Sequence, residues 1–565
     1  MNSQVSDAKA YEGERIQVYY YLTKNESTGE TEEGKIACGH NRTDDGNAQR
    51  FIMRYDDQVR YCADLQTWFI WDDCKWAPDT TGIIKEYARI VVRNIHIEAG
   101  IIESDNESET RKTRKELSKW AFQSESLTRI EALVRLASTD SKIAINATDF
   151  DRNPWLINCS KGTIDLKNRE LREHRREDLI TKIALVEYDP DIVSSEWYDE
   201  LMDVLPLEQS TFLQRAVGSA LTGINRDKAL FVAYGRPNSR KSTVLDAIFK
   251  TFGDYAKPVE VATFGKSIAR PGGTRADIVD LEGLRAAHCS EIPRGMVFND
   301  AFVKSMTGAN PRAARGLYEK HMRKIIPVCK FFIETNFLPN MNFDDDAAFN
   351  RFHIITFLNA IPLADCDPTV KEFLIENENA QKAIFAWAVQ GCYDWQDFGL
   401  MPPDSVNAAR EAYQDDMNPL AEFFKSDVIV EEGASVSTSD LYDRFKLNAT
   451  VDAQREVKSK QSFGMYLSRL GYESKRVGDY HMRLGIRLRE GGEFDEDVDE
   501  NPSQVRRPVD YAKDLVKSPC NIAEYMGLYT KPLTWSAGRR TLERDLDEII
   551  DDIERYNDPN YHPNW

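Results

Sequence analysis

"FVAYGRPNSRKSTVLDAIFKTFGDYA", residues 231–256, decides how the middle of the chain is read. A short apolar run, Phe231-Val232-Ala233, leads into Gly235, and beyond Lys241-Ser242-Thr243 the apolar residues Val244, Leu245, Ile248 and Phe249 recur at helical spacing. Strand, loop and helix in that order are the parts of the phosphate-binding pattern G-x-x-x-x-G-K-[ST]. In it, loop amides cradle phosphate oxygens, the lysine neutralises them and the hydroxyl reaches a magnesium ion. The pattern asks for a second glycine where this chain has Arg240. A glycine there lets backbone approach phosphate without a Cβ; an arginine adds bulk, and also a charge that phosphate accepts if the side chain points outward.

Working outward, residues 216–360 alternate strand-like and helix-like segments, the mark of an α/β domain. Later strands are expected at 284–290, 328–335 and 352–358. "AAHCSE" ends in Glu291 and "KFFIETN" ends in Asn336. Open α/β sheets gather ligands at the carboxyl ends of their strands, so a lysine, a hydroxyl, an acid and an asparagine at successive strand ends form a more specific signal than any one of them.

The bulk composition bounds the rest. At 565 residues the chain exceeds a single core and predicts several domains. No apolar run approaches the ~18 residues of a membrane span, and the N-terminal stretch lacks the layout of a signal peptide, so a cytoplasmic protein is expected. Nine cysteines form no C-x-x-C pair, which predicts reduced and mostly buried thiols rather than a zinc site. The formal charge is −20, yet residues 441–490 carry 11 Lys/Arg against 6 Asp/Glu while 491–565 carry 9 against 17. Segregation of this kind leaves room for a local basic groove on an acidic protein.

Residues 1–40 read as polar and loop-like, 47–80 as short β-like runs with Trp68, Trp71 and Trp76 forming a small core, and 83–140 as helical. "DFDRNPWLINCSKGTIDLKNRELREHRREDLITK" (149–182) reads as a hairpin unit whose Asp149 and Asp151 belong to a turn rather than a metal site. A helical stretch (371–395) and a Pro402-Pro403 break precede a unit at 418–490 of two helices and a terminal β-like pair. An acidic linker then leads to a tail with Leu542, Leu546, Ile549, Ile550 and Ile553 in one helical stripe.

With these stretches in hand, the chain resembles the C-terminal helicase part of the primase-helicases of phages, satellite phages and plasmids, within helicase superfamily 3 of the AAA+ ATPases. The matching stretches run in order and include "WLINCSKGTIDL", "FLQRAVGSALTG", "ADIVDLEGLRAAHCSEI", "FVKSMTGANPRAARGLYE" and "ETNFLPNMNFDDDAAFNRFHIITF". The resemblance implies a multidomain α/β fold. It divides into an N-terminal α+β and helical region (1–145), a collar segment (146–215), an AAA+ ATPase core (216–365) and a helical connector (366–415). A winged-helix domain (416–490) and an acidic linker with a helical tail (491–565) complete it.

It implies ATP and Mg²⁺ as cofactors, with Gly235, Asn238, Ser239, Arg240, Lys241, Ser242 and Thr243 around the nucleotide. Lys241 and Ser242 would be the phosphate lysine and metal hydroxyl, Glu291 the acid for metal and water, Asn336 the sensor, and Arg351 a finger reaching the nucleotide of a neighbouring subunit. Lys304, Arg312 and Arg315 fall in the DNA-contacting hairpin region, and Lys458, Lys460, Lys475 and Arg476 on the basic surface of the winged helix. The partners implied are single-stranded DNA in a hexamer's channel, duplex DNA on the winged helix and a separate primase or polymerase, with no membrane.

The function expected is ATP-dependent unwinding at a replication origin of a mobile element. The alternative is a slow origin-binding scaffold blunted by Arg240. Three departures stand out. The loop reads N-S-R-K-S-T where the family has a glycine, so Arg240→Gly is expected to raise turnover unless a shifted backbone now needs the arginine. Asn350-Arg351 leaves one candidate finger. No complete metal-and-histidine set precedes the helicase-like part, so primer synthesis is not expected.

Overall fold

The computed structural model describes residues 17–24, 31–102, 106–266, 275–308, 310–314, 322–343, 345–360, 362, 367–478 and 480–489. Its centre is a five-stranded parallel sheet in the spatial order Ala256–Pro258, Ala286–Ser290, Lys330–Thr335, Leu230–Gly235, Phe352–Phe357. The three strands expected from sequence are present, each ending within two residues of its predicted bounds. Strand side chains alternate between two covered faces, which is why the runs are almost wholly apolar. Phe231, Ala233, Phe332 and Ile355 face helices Leu207–Ala220, Lys241–Thr251 and Glu378–Phe398. Leu230, Val232, Ile333 and Ile354 face helices Asp300–Thr307 and Asp404–Asp416, with Phe302, Met306 and Tyr413 filling that side.

The N-terminal region has its own core, centred on Phe51, Val59, Ala88, Ile95, Leu133 and Ile143. Two expectations are corrected here. Residues Asp44–Tyr55 form a helix, not β-like runs. Thr43 caps it by accepting from the Gly46 amide at 3.0 Å, Asp44 and Asp45 sit in its first turn, and buried Ala48, Phe51, Ile52 and Tyr55 keep helical spacing. Within 1–40, Gln17–Lys24 and Thr31–Cys38 pair as antiparallel strands rather than loop. The tryptophan core holds in part: Trp76 is fully buried, donates to the Arg176 carbonyl at 2.9 Å and packs with half-buried Trp71, while Trp68 points to the other face of the strand and joins the helical core against Phe51 and Tyr61. The helical reading of 83–140 is met by helices Ile83–Ile101, Glu107–Ser124 and Leu127–Ala137.

The hairpin unit is built from Leu156–Cys159, Gly162–Asp165 and Glu170–Arg172. Asp149 accepts from the Asn146 amide and side chain in a local turn, and Asp151 accepts from the amide (2.9 Å) and hydroxyl of Thr181, 30 residues on, so both carboxylates are engaged within the fold.

The last described unit is richer than expected. Strand Val428–Ser437 precedes helices Thr438–Asn448, Val451–Glu456 and Lys460–Arg469, and the chain returns through Ser474–Val477 and Tyr480–Leu488. The long final strand lies between the other two. Phe423, Leu441, Phe445, Phe463, Leu467 and Ile486 form its core. The opening strand escapes a sequence reading because Glu431, Glu432 and Gly433 interrupt its alternation and stay exposed. Cys62, Cys159, Cys289, Cys329 and Cys392 are buried free thiols. Among the described residues no helix is long and apolar enough to cross a membrane. The acidic linker and the tail stripe at Leu542–Ile553 lie outside the described residues.

Candidate functional site

Strand Leu230–Gly235 delivers the chain into the loop 236–240 at the carboxyl end of the sheet, and helix Lys241–Thr251 leaves it. Gly235 is required there: a Cβ would stand 2.3 Å from the Phe357 carbonyl oxygen and 3.0 Å from Ser239 Oγ. Lys241 is buried and its ammonium donates to the Gly235 carbonyl (3.1 Å), the Arg236 carbonyl (2.9 Å), Ser239 Oγ (3.1 Å) and Asn336 Oδ1 (3.0 Å). Burial lowers its pKa, and the charge of Glu334 opposes that. Asn336 follows the strand Lys330–Thr335 and is set by a tight turn in which the Phe337 amide donates to Thr335 Oγ1 at 3.0 Å. The sequence-predicted lysine and asparagine thus meet directly.

Ser242 donates its hydroxyl to the Glu334 carboxylate, a contact that sequence reading had not anticipated. Glu334 is the one acid in strand Lys330–Thr335, directly after the apolar run Phe331-Phe332-Ile333, which is the signal that could have exposed it. Burial raises its pKa, while the Ser242 hydrogen bond and Lys241 pull the other way. Glu291 lies one residue past the neighbouring strand, with left-handed φ of 56° and its amide donating to the Glu334 carbonyl at 2.8 Å. Both acids line a cleft of about 460 Å³ with Ser242, Asp246, Glu260 and His288. A hydroxyl and two carboxylates are hard oxygen donors, the set that suits Mg²⁺, an ion that keeps waters and takes one or two carboxylates beside phosphate oxygens.

Arg240 resolves the oddity of the loop. It takes the left-handed conformation itself, φ 56° and ψ 18°, where a glycine would sit without strain. Its guanidinium leaves the loop and donates to Glu200 Oε2 at 2.7 Å and Asp203 Oδ2 at 3.2 Å on helix Ser195–Val204. Glu200 is 2% exposed, shares a helix face with buried Trp197, Leu201 and Val204, and has its pKa raised by burial against the pull of Arg240. An acid on that apolar helix face is a readable signal once its partner is known. Asn238 is also left-handed and exposed, Ser239 is buried under Lys241, and Thr243 is half-buried at the helix start.

The remaining predicted residues lie apart. Arg351 stands at the opposite end of the sheet: its carbonyl accepts from the Leu230 amide at 2.7 Å, five residues upstream of Gly235, or roughly 17 Å at ~3.3 Å per residue. Its side chain donates to Thr307 Oγ1 at 3.0 Å. Lys304 is ion-paired with Asp345, and Arg312 donates to Ser305 Oγ at 2.7 Å and lies over the Phe302 ring at 4.7 Å. Arg312 opens the short strand Arg312–Ala314, paired with Arg323–Ile325; Arg315 lies outside the described residues. Lys458, Lys460, Lys475 and Arg476 are all exposed, on the start of helix Lys460–Arg469 and on strand Ser474–Val477. Beneath them Arg483 is 5% exposed and donates to Ser468 Oγ (2.7 Å) and to the carbonyls of Gly464 (2.7 Å) and Tyr472 (2.8 Å).

A parallel α/β sheet with a strand–loop–helix of the phosphate-binding pattern defines the class of this protein. Residues 48–206 match the family "D5 N terminal like". The curated relatives are viral. "Putative helicase L207/L206" of Acanthamoeba polyphaga mimivirus is 25% identical over 37% of this chain and 22% of its own length. "Putative helicase 022R" of Frog virus 3 (isolate Goorha) is 24% identical over 42% and 26%. "Putative helicase 184R" of Invertebrate iridescent virus 6 is 22% identical over 53% and 34%. The family match covers residues 48–206, and the chain spans about a fifth to a third of the length of the curated viral relatives it matches. Among solved structures, the apo form of "NrS-1 C terminal region-CTR" aligns over 75% of this chain and 95% of its own, at 10% identity and a TM-score of 0.38, too low to define a shared fold.

Proposed function

We propose that the chain is an ATP-hydrolysing DNA helicase of superfamily 3 that works as a ring, unwinding DNA at or near a replication origin of a phage or other mobile element. One observation carries this reading: Lys241, Ser242, Asn336 and two carboxylates converge at the carboxyl ends of adjacent parallel strands, where nucleotide chemistry needs a cation, a hydroxyl, a polar sensor and acids. The strand order, with the loop strand between Lys330–Thr335 and Phe352–Phe357, supports an AAA+ core. Ser242 and the cleft carboxylates would hold Mg²⁺, which would supply positive charge to offset that of the phosphates. Lys241 would exchange its carbonyl partners for phosphate oxygens, Asn336 would hold the terminal phosphate or attacking water, and Glu291, at the rim of the cleft, would orient that water.

Arg240 points away from the cradle, which favours a working loop over the slow-scaffold alternative. Arg351, remote from its own loop, would serve a neighbour's nucleotide in a hexamer. Strand, three helices and a closing strand pair at 428–488 match the winged-helix plan, and its exposed lysines and arginine suit duplex phosphates; Lys304, Arg312 and Arg315 would serve the single strand in the channel. A separate primase or polymerase would supply synthesis in the host cytoplasm. The test is a strand-displacement assay on a forked duplex with ATP. Unwinding that disappears in Lys241→Ala supports the reading, and a wild-type chain that binds the fork but never separates it in ATP removes it.

A further inference from the structure

The acid that faces the loop hydroxyl does not come from the outer strand. Strands Ala286–Ser290 and Lys330–Thr335 pair in parallel with Ser290 opposite Glu334 and His288 opposite Phe332. Paired positions project to the same face, as do positions two apart on one strand. The His288 and Phe332 rings both pack on Phe249 of helix Lys241–Thr251, at 5.0 and 5.1 Å between centroids, so this is the face that carries the loop helix. Ser290 and Glu334 are therefore the pair aimed at the start of that helix. The outer member is a serine; the carboxylate is on the inner strand, and Ser242 donates to it. Glu291 sits one position further, where the left-handed turn has ended the strand, and is exposed at the rim.

We infer that Glu334, on the inner strand, is the carboxylate that holds the divalent cation of a bound nucleotide beside Ser242, leaving Glu291 to the water side of the reaction. The inference rests on the nucleotide reading above and divides between two residues a task that sequence alone assigned to Glu291. Glu334 accepts from Ser242, and its charge acts on the neighbouring phosphate lysine, Lys241, so an acid in this position can serve the cation beside the phosphates. It also explains the Ser242 contact: the hydroxyl and carboxylate are already mutually oriented as two oxygen donors to one ion.

The experiment measures binding of a fluorescent ADP analogue to the full chain, first in EDTA and then across a Mg²⁺ titration. In Glu334→Gln, affinity in EDTA stays within about twofold while the Mg²⁺ needed for half-maximal tightening rises about tenfold or more. Glu291→Gln leaves the Mg²⁺ curve within about twofold of wild type. Because Ser290 faces Glu334 across the strand pair, Ser290→Asp added to Glu334→Gln returns the curve toward wild type, a rescue that a merely structural role for Glu334 would not produce. Should Glu334→Gln not fold, Glu334→Asp with its shorter reach gives the same shift. A Mg²⁺ curve unchanged in Glu334→Gln, or one shifted instead in Glu291→Gln, overturns the inference while leaving nucleotide binding intact. A wild-type chain that binds no nucleotide at any Mg²⁺ concentration overturns the nucleotide reading itself, and the inference with it.

Discussion

At the scale of single residues, Arg240 inverts the simplest reading of the loop. Sequence alone makes it a crowded substitute for glycine, to be relieved by Arg240→Gly. In the structure it is the hydrogen-bond partner of a buried carboxylate, Glu200, whose other oxygen has no partner among the described residues. Glycine would recover up to about 1 kcal/mol of left-handed strain but strand that carboxylate. Arg240 is 28% exposed, so the loss falls below the ~3–5 kcal/mol of a wholly buried pair, and Arg240→Gly is expected to destabilise the fold by about 2 kcal/mol net.

The pH dependence has a definite sign. Burial raises the Glu200 pKa above the ordinary value near ~4.3, so its protonated form favours the folded state, and stability falls as pH rises through the folded-state pKa. Removing Arg240 takes away the group that holds this pKa down, leaving Asp203, which raises it. The melting-temperature deficit of Arg240→Gly should therefore grow as pH rises above the ordinary carboxylate range, and Glu200→Gln in the same chain should flatten it. A deficit independent of pH would detach Glu200 from Arg240.

At the scale of elements, the unit 416–490 presents its basic side chains from two adjoining pieces, helix Lys460–Arg469 and strand Ser474–Val477. Each of Lys460→Ala, Lys475→Ala and Arg476→Ala should lower the slope of log affinity against log salt for duplex DNA by about one, without moving the melting temperature because all three are exposed. Arg483→Met should instead unfold this unit, since the buried guanidinium bonds two carbonyls and two hydroxyls across helix and strand. Equal salt slopes in the surface variants and wild type would remove the DNA face.

What was legible at this scale follows from periodicity. The sheet strands were readable because burial on both faces makes them mostly apolar runs, Asn336 because it follows such a run, and Lys241 and Ser242 because a strand, a loop after Gly235 and a helix frame them in the phosphate-binding pattern. Asp44–Tyr55 was misread because its tyrosine and phenylalanine favour strands when judged singly, while the Thr43 cap and three-to-four spacing decide for helix. Glu334 and Glu200 were missed for one reason: each is an acid whose partner lies far off in sequence, 92 and 40 residues away, and no local pattern announces such a pair.

At the scale of the whole molecule, Arg351 and Lys241 belong to opposite ends of one sheet and cannot share a nucleotide within one chain. If rings form, mixtures of Arg351→Ala with Lys241→Ala chains should hydrolyse more ATP than the two measured separately, because some interfaces pair an intact lysine with an intact arginine. Activity equal to the separate values would place Arg351 in a structural role with Thr307. The most direct test of the central claim is steady-state ATP hydrolysis by the purified full chain with and without single-stranded DNA, beside Lys241→Ala. The expected result is turnover that rises with DNA and falls by about a hundredfold or more in the variant; turnover no greater than that of Lys241→Ala under either condition would contradict it.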